Sequence, residues 1–233
     1  MFPTLRFSVP NDRAIVLEVR HALAAGASAR DRDKALAHIA RMAAQGVKPP
    51  PHVPMLYPLM PTLVTNASDV GVIGDDSTPE IEPVLFHVGG VDYVTVGSDH
   101  TDRRIEARSA LQGKNSCPKI VAAAAWPLEQ VRDHWDELTL QSRCSGQVLQ
   151  EGRLSHLLPW DELLAFVDAQ DGVNREGRLV FCGTVPTLKT PSARNAHIEL
   201  TLHDPIGGAS LQHRYRVHVR QPYFVTDSAP TAS

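Results

Sequence analysis

Two strand-like segments that carry three carboxylates meet at a pair of glycines. Residues 80–88 (EIEPVLFHV) and 91–99 (VDYVTVGSD) are rich in the β-branched and aromatic residues that favour strands. Between them, Gly89 and Gly90 can adopt the positive φ angles that a tight two-residue turn requires. The pattern predicts a β-hairpin with acidic residues at its open end.

The register of this hairpin brings three carboxylates to one face. Counting outward from the turn, Glu80 lies opposite Asp99 and Glu82 lies opposite Gly97. Alternate residues of a strand share a face, and so do directly opposed residues. Like charges placed this way destabilise a sheet unless a cation lies among them, and oxygen ligands suit Mg²⁺, Mn²⁺ or Ca²⁺. The alternative is a solvated strand face, because a one-residue shift in register would break the cluster.

The elements that must position this hairpin are mostly strands. Apolar residues at helical spacing predict helices over about residues 31–44, 126–140 and 159–169. We expect further strands within residues 146–158, 178–185, 196–204 and 211–225. Strands outnumber helices and do not alternate regularly with them, so we predict an α+β fold with a mainly antiparallel sheet.

Composition excludes several classes of protein. The net charge of −3 leaves no basic excess to displace counterions, which argues against a dedicated nucleic-acid binder. The cysteines at 117, 144 and 182 are odd in number and contain no CxxC pair, which fits a reducing compartment and excludes a cysteine zinc site. No signal peptide opens the chain and no apolar run reaches about 18 residues. We therefore expect a cytoplasmic protein without a membrane partner.

Several motifs, in order, resemble the signature of the fumarylacetoacetate hydrolase superfamily. That family has a Glu-x-Glu pair and then an Asn-Asp-x-Ser-Ala-Arg-Asp-type segment, which Glu80-Ile81-Glu82 and residues 98–104 (SDHTDRR) resemble. Lys114 follows at the position of the family's active-site lysine, Gln150 at its hairpin glutamine, and Thr184 in its Gly-Thr turn. The resemblance is good over about residues 78–220 and implies a divergent branch of the catalytic-domain type.

The resemblance implies a mixed β-roll with a few flanking helices and a homodimer. It also implies three segments. Residues 1–77 contain strands, a helix and a lid-like part, residues 78–225 form a metal-binding catalytic β-rich domain, and residues 226–233 are a tail. Composition predicts that this tail is disordered. The metal would be Mg²⁺ or Mn²⁺, with Ca²⁺ also suited, held by the three carboxylates of the hairpin.

Roles for the remaining residues follow from the same resemblance. Lys114 and His38 are the candidate catalytic residues, as a positive charge beside a developing oxyanion and as a base that activates water. Arg103, Gln150 and Thr184 are the candidate substrate-binding residues.

Each of these assignments has a simpler alternative. His38 could be an ordinary helical histidine, Lys114 could be solvated, and Arg103 could pair with Asp102 or Glu106.

The chain departs from the family pattern at two positions. Arg41 stands where the lid normally has the glutamate that orients the histidine base, and Glu106 stands where the family often has a substrate-contacting glutamine.

The function implied is a hydrolase or lyase that cleaves a C–C or related bond in a small 2-oxo or enolisable carboxylic acid. A tautomerase or decarboxylase on the same metal site is the alternative, since neither needs the missing glutamate. A non-catalytic small-molecule-binding homodimer is a third.

Overall fold

The computed structural model describes residues 2–11, 13–44, 49, 52–171, 174–188 and 196–220. The predicted tail at 226–233 lies outside the described residues, as do residues 221–225 of the predicted catalytic segment. Among the helices described, none has both the length and the apolar character needed to span a bilayer.

The described residues contain a few helices and many strands. The α-helices are α1 (Arg32–Ala44), α2 (Arg103–Glu106), α3 (Ala110–Asn115) and α4 (Trp160–Asp171). Short 3-10 segments cover Pro61–Leu63, Leu128–Gln130, Arg132–Glu137 and Leu154–His156. The strands are β1 (Thr4–Val9), β2 (Arg13–Glu18), β3 (His21–Gly26), β4 (Met55–Leu59), β5 (Val64–Thr65), β6 (Asp69–Ile73), β7 (Ser77–Thr78), β8 (Ile81–Val88), β9 (Val91–Asp99), β10 (Thr101–Asp102), β11 (Lys119–Val121), β12 (Trp126–Pro127), β13 (Thr139–Cys144), β14 (Gln147–Arg153), β15 (Arg178–Phe181), β16 (His197–Asp204) and β17 (Ala209–Arg220).

Two large sheets organise the described residues. The larger has the order β4-β3-β15-β8-β9-β11-β5, with β12 also pairing with β9, and the smaller has the order β14-β13-β16-β17-β6. Most pairs are antiparallel, but β3 with β15, β5 with β11 and β6 with β17 are parallel. The predicted strand-rich α+β fold is confirmed, and its sheets are mixed.

The predicted hairpin lies at the centre of the larger sheet, and both faces of that sheet are covered. Alternation along β8 directs Ile81 and Leu85 into the core shared with the smaller sheet, while Phe86 faces the other way. On that second face Phe86 stacks on Phe7 of β1, with ring centroids 4.4 Å apart. Burial from both sides holds the β8–β9 pair rigidly in place.

Two of the three predicted helices are confirmed, as α1 and α4. The prediction of a helix over residues 126–140 is wrong, since this stretch is a short strand, two 3-10 segments and the start of β13. Its apolar residues Leu128, Val131, Trp135 and Leu138 are nevertheless buried. The helical spacing therefore marked residues that face the core, which a 3-10 turn with a similar period satisfies equally well.

Residues on either side of position 77 share the same sheets. β3 and β4 lie in the larger sheet with β8 and β9, and β6 pairs with β17 in the smaller one. The proposed boundary between residues 1–77 and 78–225 therefore does not separate two sheets, and the division stays a prediction.

Candidate metal centre

The β8–β9 hairpin forms the floor of the site, and its predicted register is confirmed. Glu82 pairs with Gly97. Two positions further out, the Asp99 N–H donates to the Glu80 carbonyl at 2.9 Å. The three carboxylates each offer an oxygen, and these oxygens all lie within 4.8 Å of one another. Within the described residues this is the one group of three or more acidic, histidine or cysteine side chains close enough to share an ion.

Gly97 lies opposite Glu82, where β9 is tightly packed between its neighbours. A Cβ at this position would lie 2.5 Å from the Ile120 carbonyl oxygen, 2.7 Å from Val84 Cγ2 and 2.9 Å from Phe181 Cε1. Real Cβ atoms do not approach other atoms so closely. The glycine therefore lets β9 lie tightly between its neighbours opposite Glu82.

Lys114 reaches the carboxylates from helix α3. Its Nζ lies 2.6 Å from Asp99 Oδ2 and 3.4 Å from Glu80 Oε2. Helix α3 begins at Ser109, whose hydroxyl accepts a hydrogen bond from the Gln112 N–H. The sequence predicted the importance of Lys114 but missed the short helix that carries it, because two turns are too few to show a periodic pattern.

Arg103 contacts the outer side of the cluster. Its Nη2 lies 2.9 Å from Glu80 Oε1, its Nη1 lies 2.6 Å from Glu106 Oε2, and its Nε donates to Thr78 Oγ1 at 2.6 Å. The ion pair with Glu106 is the alternative that the sequence left open. With three protein acceptors around its guanidinium, the predicted binding of a substrate carboxylate by Arg103 stays a prediction.

Lys119 is a charged residue of the site that the sequence analysis missed. It lies on β11, directly opposite Asp99 of β9, and its Nζ is 2.5 Å from Asp99 Oδ1. The same ammonium donates a hydrogen bond to the His100 carbonyl. Lys119 opens the otherwise apolar run KIVAAAA, and a lone charge at the start of a buried strand is the signal that could have found it.

Glu82 is a buried carboxylate of the cluster. Its Oε2 accepts a hydrogen bond from the Gly183 N–H at 2.7 Å. Burial raises the pKa of Glu82 well above its usual range, and the nearby Asp99 carboxylate raises it further. Gly183 has φ of +102°, and a Cβ there would lie 1.9 Å from Ser28 Oγ. Only glycine can therefore aim this N–H at the carboxylate.

The cations around the cluster oppose the effect of burial. Burial raises the pKa of Glu80, but Lys114 and Arg103 outweigh it and hold the pKa at about 2. For Lys114, burial lowers the pKa, while Glu80 and Asp99 raise it well above its usual value. Burial lowers the pKa of Lys119 and Asp99 opposes this effect. The site therefore contains ionised groups of both signs in a dry environment, where electrostatic interactions are strong.

Gln150 and Thr184, the predicted substrate-binding residues, are bonded to protein groups near the cluster. Gln150 Nε2 donates to Thr184 Oγ1 at 2.8 Å and to the Val185 carbonyl at 2.7 Å. The Thr184 hydroxyl donates to the Ile81 carbonyl at 2.7 Å. Their roles in substrate binding stay predictions, and both side chains support the strand that carries the glutamates.

The histidines at 38 and 100 are related to the site in different ways: His38 is the predicted base, and His100 directly follows Asp99. His38 is within helix α1, and its side chain lies outside the described part of the structure, so its predicted role as a base stays a prediction. His100 points away from the carboxylates, as strand alternation predicts, with Nδ1 at 3.1 Å from Ser77 Oγ and Nε2 at 2.7 Å from the Tyr215 hydroxyl. Burial lowers the pKa of His100 to about 3.

The donor set fits a hard divalent cation. Its ligating atoms are carboxylate oxygens, which Mg²⁺, Mn²⁺ and Ca²⁺ prefer over nitrogen or sulfur. Asp99 Oδ1 is buried, and the Lys119 ammonium lies 2.5 Å from it. An oxygen in this state retains a lone pair that an ion can use. Glu80, Glu82 and Asp99 are therefore the residues that would hold the metal.

Comparisons with known proteins bear on the family and the fold of this chain. A family model described as "Protein of unknown function (DUF2848)" matches residues 25–215. No curated protein matches the sequence. Fumarylpyruvate hydrolase from Pseudomonas aeruginosa, in complex with Mn²⁺ and pyruvate, is 16% identical with a TM-score of 0.63, and the match covers 93% of this chain and 96% of that one. 5-Carboxymethyl-2-hydroxymuconate delta-isomerase from Mycobacterium smegmatis is 14% identical with a TM-score of 0.64, and the match covers 95% of this chain and 99% of that one.

These similarities establish the architecture of the chain. Both structures match it over nearly its whole length, at identities too low to show more than a common fold. The fold of the fumarylacetoacetate hydrolase type that the sequence predicted is therefore confirmed, and the low identity fits a divergent branch.

Proposed function

Because the chain belongs to the DUF2848 family, whose function is unknown, we propose its function from the site itself. We infer a divalent-metal-dependent hydrolase or lyase that cleaves a C–C or related bond in a small 2-oxo or enolisable carboxylic acid. The observation that carries this proposal is the convergence of Glu80, Glu82 and Asp99 within 4.8 Å. The proposal is supported by the Pseudomonas enzyme of the same fold, which binds Mn²⁺ and pyruvate, itself a 2-oxo acid.

In this proposal the bound metal and Lys114 both stabilise the negative charge that develops in the reaction. A bound divalent cation would supply Lewis-acid stabilisation for an enolate that develops next to a carboxylate. Lys114 holds a fixed positive charge 2.6 Å from Asp99 and adds to that stabilisation, because it is already oriented before the reaction begins. Its side chain is 8% exposed and its ammonium lies 5.9 Å from the centre of the partly exposed Tyr57 ring, so we propose that a substrate reaches it from this side.

The choice between bond cleavage and isomerisation depends on the base. Hydrolysis requires a group that deprotonates water, and His38 on α1 is the candidate, since an imidazole titrates near neutral pH. Arg41 replaces the glutamate that would orient such a histidine. Tautomerisation or decarboxylation on the same metal site is therefore the second candidate function. We also propose a homodimer that works in the cytoplasm.

Metal-dependent thermal unfolding tests the site. Chelator-treated protein is heated with and without Mn²⁺, Mg²⁺ or Ca²⁺, beside Glu82→Ala and the control Glu199→Ala on β16. A ligand at a hundredfold excess over Kd stabilises the folded state by about 2.7 kcal/mol, so the melting temperature of the wild type and the control should rise by several degrees. No rise in the wild type, or an equal rise in Glu82→Ala, would refute the metal site.

The reaction is tested on the metal-loaded protein. Acylated pyruvates and simple 2-oxo acids are incubated with the wild type and Glu82→Ala, and the products are identified by NMR. Release of two smaller acids indicates cleavage, loss of carbon dioxide indicates decarboxylation, and a product with all substrate atoms retained indicates isomerisation. Binding of these acids without any turnover would favour the non-catalytic alternative.

A further inference from the structure

Lys119 is a cation in contact with the cluster that the proposed chemistry does not use. It is fully buried at 0% exposure, and so is its partner Asp99. A lysine is almost never fully buried unless it is paired, because removing its charge from water is costly. Here the pairing partner is a carboxylate of the proposed metal site, so the lysine must influence that site.

Lys119 and Lys114 contact the cluster from different sides. The Lys114 ammonium lies 5.9 Å from the centre of the partly exposed Tyr57 ring, at the side of the cluster that reaches the surface. Lys119 lies behind Asp99, where β11 pairs with β9, and its ammonium also donates to the His100 carbonyl. A substrate arriving from solvent cannot touch it. Any effect of Lys119 on binding must therefore act through Asp99.

Among the described residues, cations contact Asp99 and Glu80 before any metal is considered. Each carboxylate oxygen of Asp99 has its own lysine, Lys119 on Oδ1 and Lys114 on Oδ2. Arg103 contacts Glu80. These contacts lower the cost of burying Asp99 and Glu80, and they also reduce the negative potential that would attract a divalent cation.

We propose that Lys119 is a positioning residue and an internal counter-ion that sets the affinity of the cluster for a divalent cation. Its positive charge neutralises the Asp99 carboxylate in the metal-free protein, and it repels the bound cation in the metal-loaded protein. It also orients the Asp99 carboxylate by contacting one oxygen from the rear. The cluster therefore stays folded without metal and binds the ion more weakly than the same carboxylates would alone. This inference rests on the proposed metal site.

Calorimetric titration of chelator-treated protein with Mn²⁺ tests the inference without any substrate. Lys119→Met removes the charge, and Lys119→Gln removes it while keeping a group that can donate to the His100 carbonyl. We expect Mn²⁺ to bind both variants about tenfold more tightly than the wild type, because a nearby positive charge is gone. The metal-free variants should melt roughly 5 °C or more below the metal-free wild type. Addition of Mn²⁺ should raise the melting temperature of the variants by more than it raises that of the wild type.

The controls separate a failure of this inference from a failure of the metal site. Arg178→Met removes another buried cation, paired with Asp168 at 2.6 Å, and should lower stability without changing Mn²⁺ affinity. Absence of Mn²⁺ binding in the wild type would overturn the metal site itself. Wild-type binding that is unchanged or weakened in the Lys119 variants would overturn the role of Lys119 alone. Failure of both variants to fold even with Mn²⁺ present would also overturn it, since the ion should replace the missing charge.

Discussion

Gln150 Oε1 accepts a hydrogen bond of 2.9 Å from the backbone N–H of Ile81, the residue between the two glutamates of the cluster. Its amide nitrogen donates to Thr184 and to Val185, so the fully buried side chain connects β14, β8 and the segment after β15. Residue 81 cannot shift without breaking this link. The glutamine that sequence resemblance predicted as a substrate contact thus fixes the strand that carries the glutamates.

Substitution of Gln150 should therefore weaken both the fold and the site. In Gln150→Leu the Ile81 N–H and the Val185 carbonyl lose their partners, and we expect a loss of about 2–4 kcal/mol in the free energy of unfolding. Urea unfolding of metal-free protein measures it. Gln141→Leu on the neighbouring strand, whose amide pairs with Glu151 near the surface, should change stability by less than about 0.5 kcal/mol. Equal losses in the two variants would contradict the role of Gln150.

Gly97 should be intolerant of even one added methyl group. The Cβ of Gly97→Ala would lie 2.5 Å from a backbone oxygen that cannot move freely, so we expect a loss of about 1–3 kcal/mol and weaker Mn²⁺ binding. Gly71→Ala on β6 is the matched control, because the nearest atom to a Cβ there is 3.9 Å away and its φ suits alanine. A Gly97→Ala protein with the stability and Mn²⁺ affinity of the wild type would show that the hairpin register differs from the one described.

Stability should depend on pH through the ion pair of Arg30 and Asp136. The guanidinium donates two hydrogen bonds of 2.6 Å to this carboxylate, and the hydrogen bonds lower the pKa of Asp136. A group whose pKa is lowered by folding stabilises the protein above its unfolded pKa, about 3.9, and loses that effect as the pH falls through the folded value. Because Asp136 is 48% exposed, the effect should not exceed about 1 kcal/mol.

Urea unfolding of wild type and Asp136→Asn between about pH 7 and pH 3 measures this effect. The difference in unfolding free energy should be constant near neutral pH and shrink below about pH 4, where Asp136 becomes protonated. Asp133→Asn, at a side chain that is 89% exposed, serves as the control and should follow the wild type. A difference that grows as the pH falls would contradict the sign of the lowered pKa.

Lys114 should matter to turnover more than to folding. With any acid that the wild type converts, Lys114→Met should lower kcat about a hundredfold at saturating Mn²⁺, because a preoriented charge beside the reacting oxygen is lost. The melting temperature should still rise on adding Mn²⁺, since the three carboxylates remain. Lys114→Arg, which keeps the charge with a different shape, should recover part of the rate. Full activity in Lys114→Met would exclude Lys114 from the reaction.

Local patterns in the sequence were sufficient to predict the hairpin and its acidic face. A two-glycine turn fixes which residues oppose each other, and side-chain alternation then fixes which residues share a face. This is why the convergence of Glu80, Glu82 and Asp99 could be predicted by counting. The order of the motifs likewise predicted the fold, through their resemblance to a known family.

Only the tertiary structure decided what surrounds those carboxylates. Lys119 is twenty residues from Asp99 along the chain and meets it because β11 happens to pair with β9. The partners of Gln150 lie on strands and turns that are distant in sequence, so no spacing rule relates them. The same holds for the 3-10 segments of residues 128–137, where the sequence showed which residues are buried and the packing decided the backbone around them. A short-range pattern can determine which residues share one face of a hairpin. The partner of a buried charge, in contrast, is set by long-range strand pairing that the local sequence does not encode.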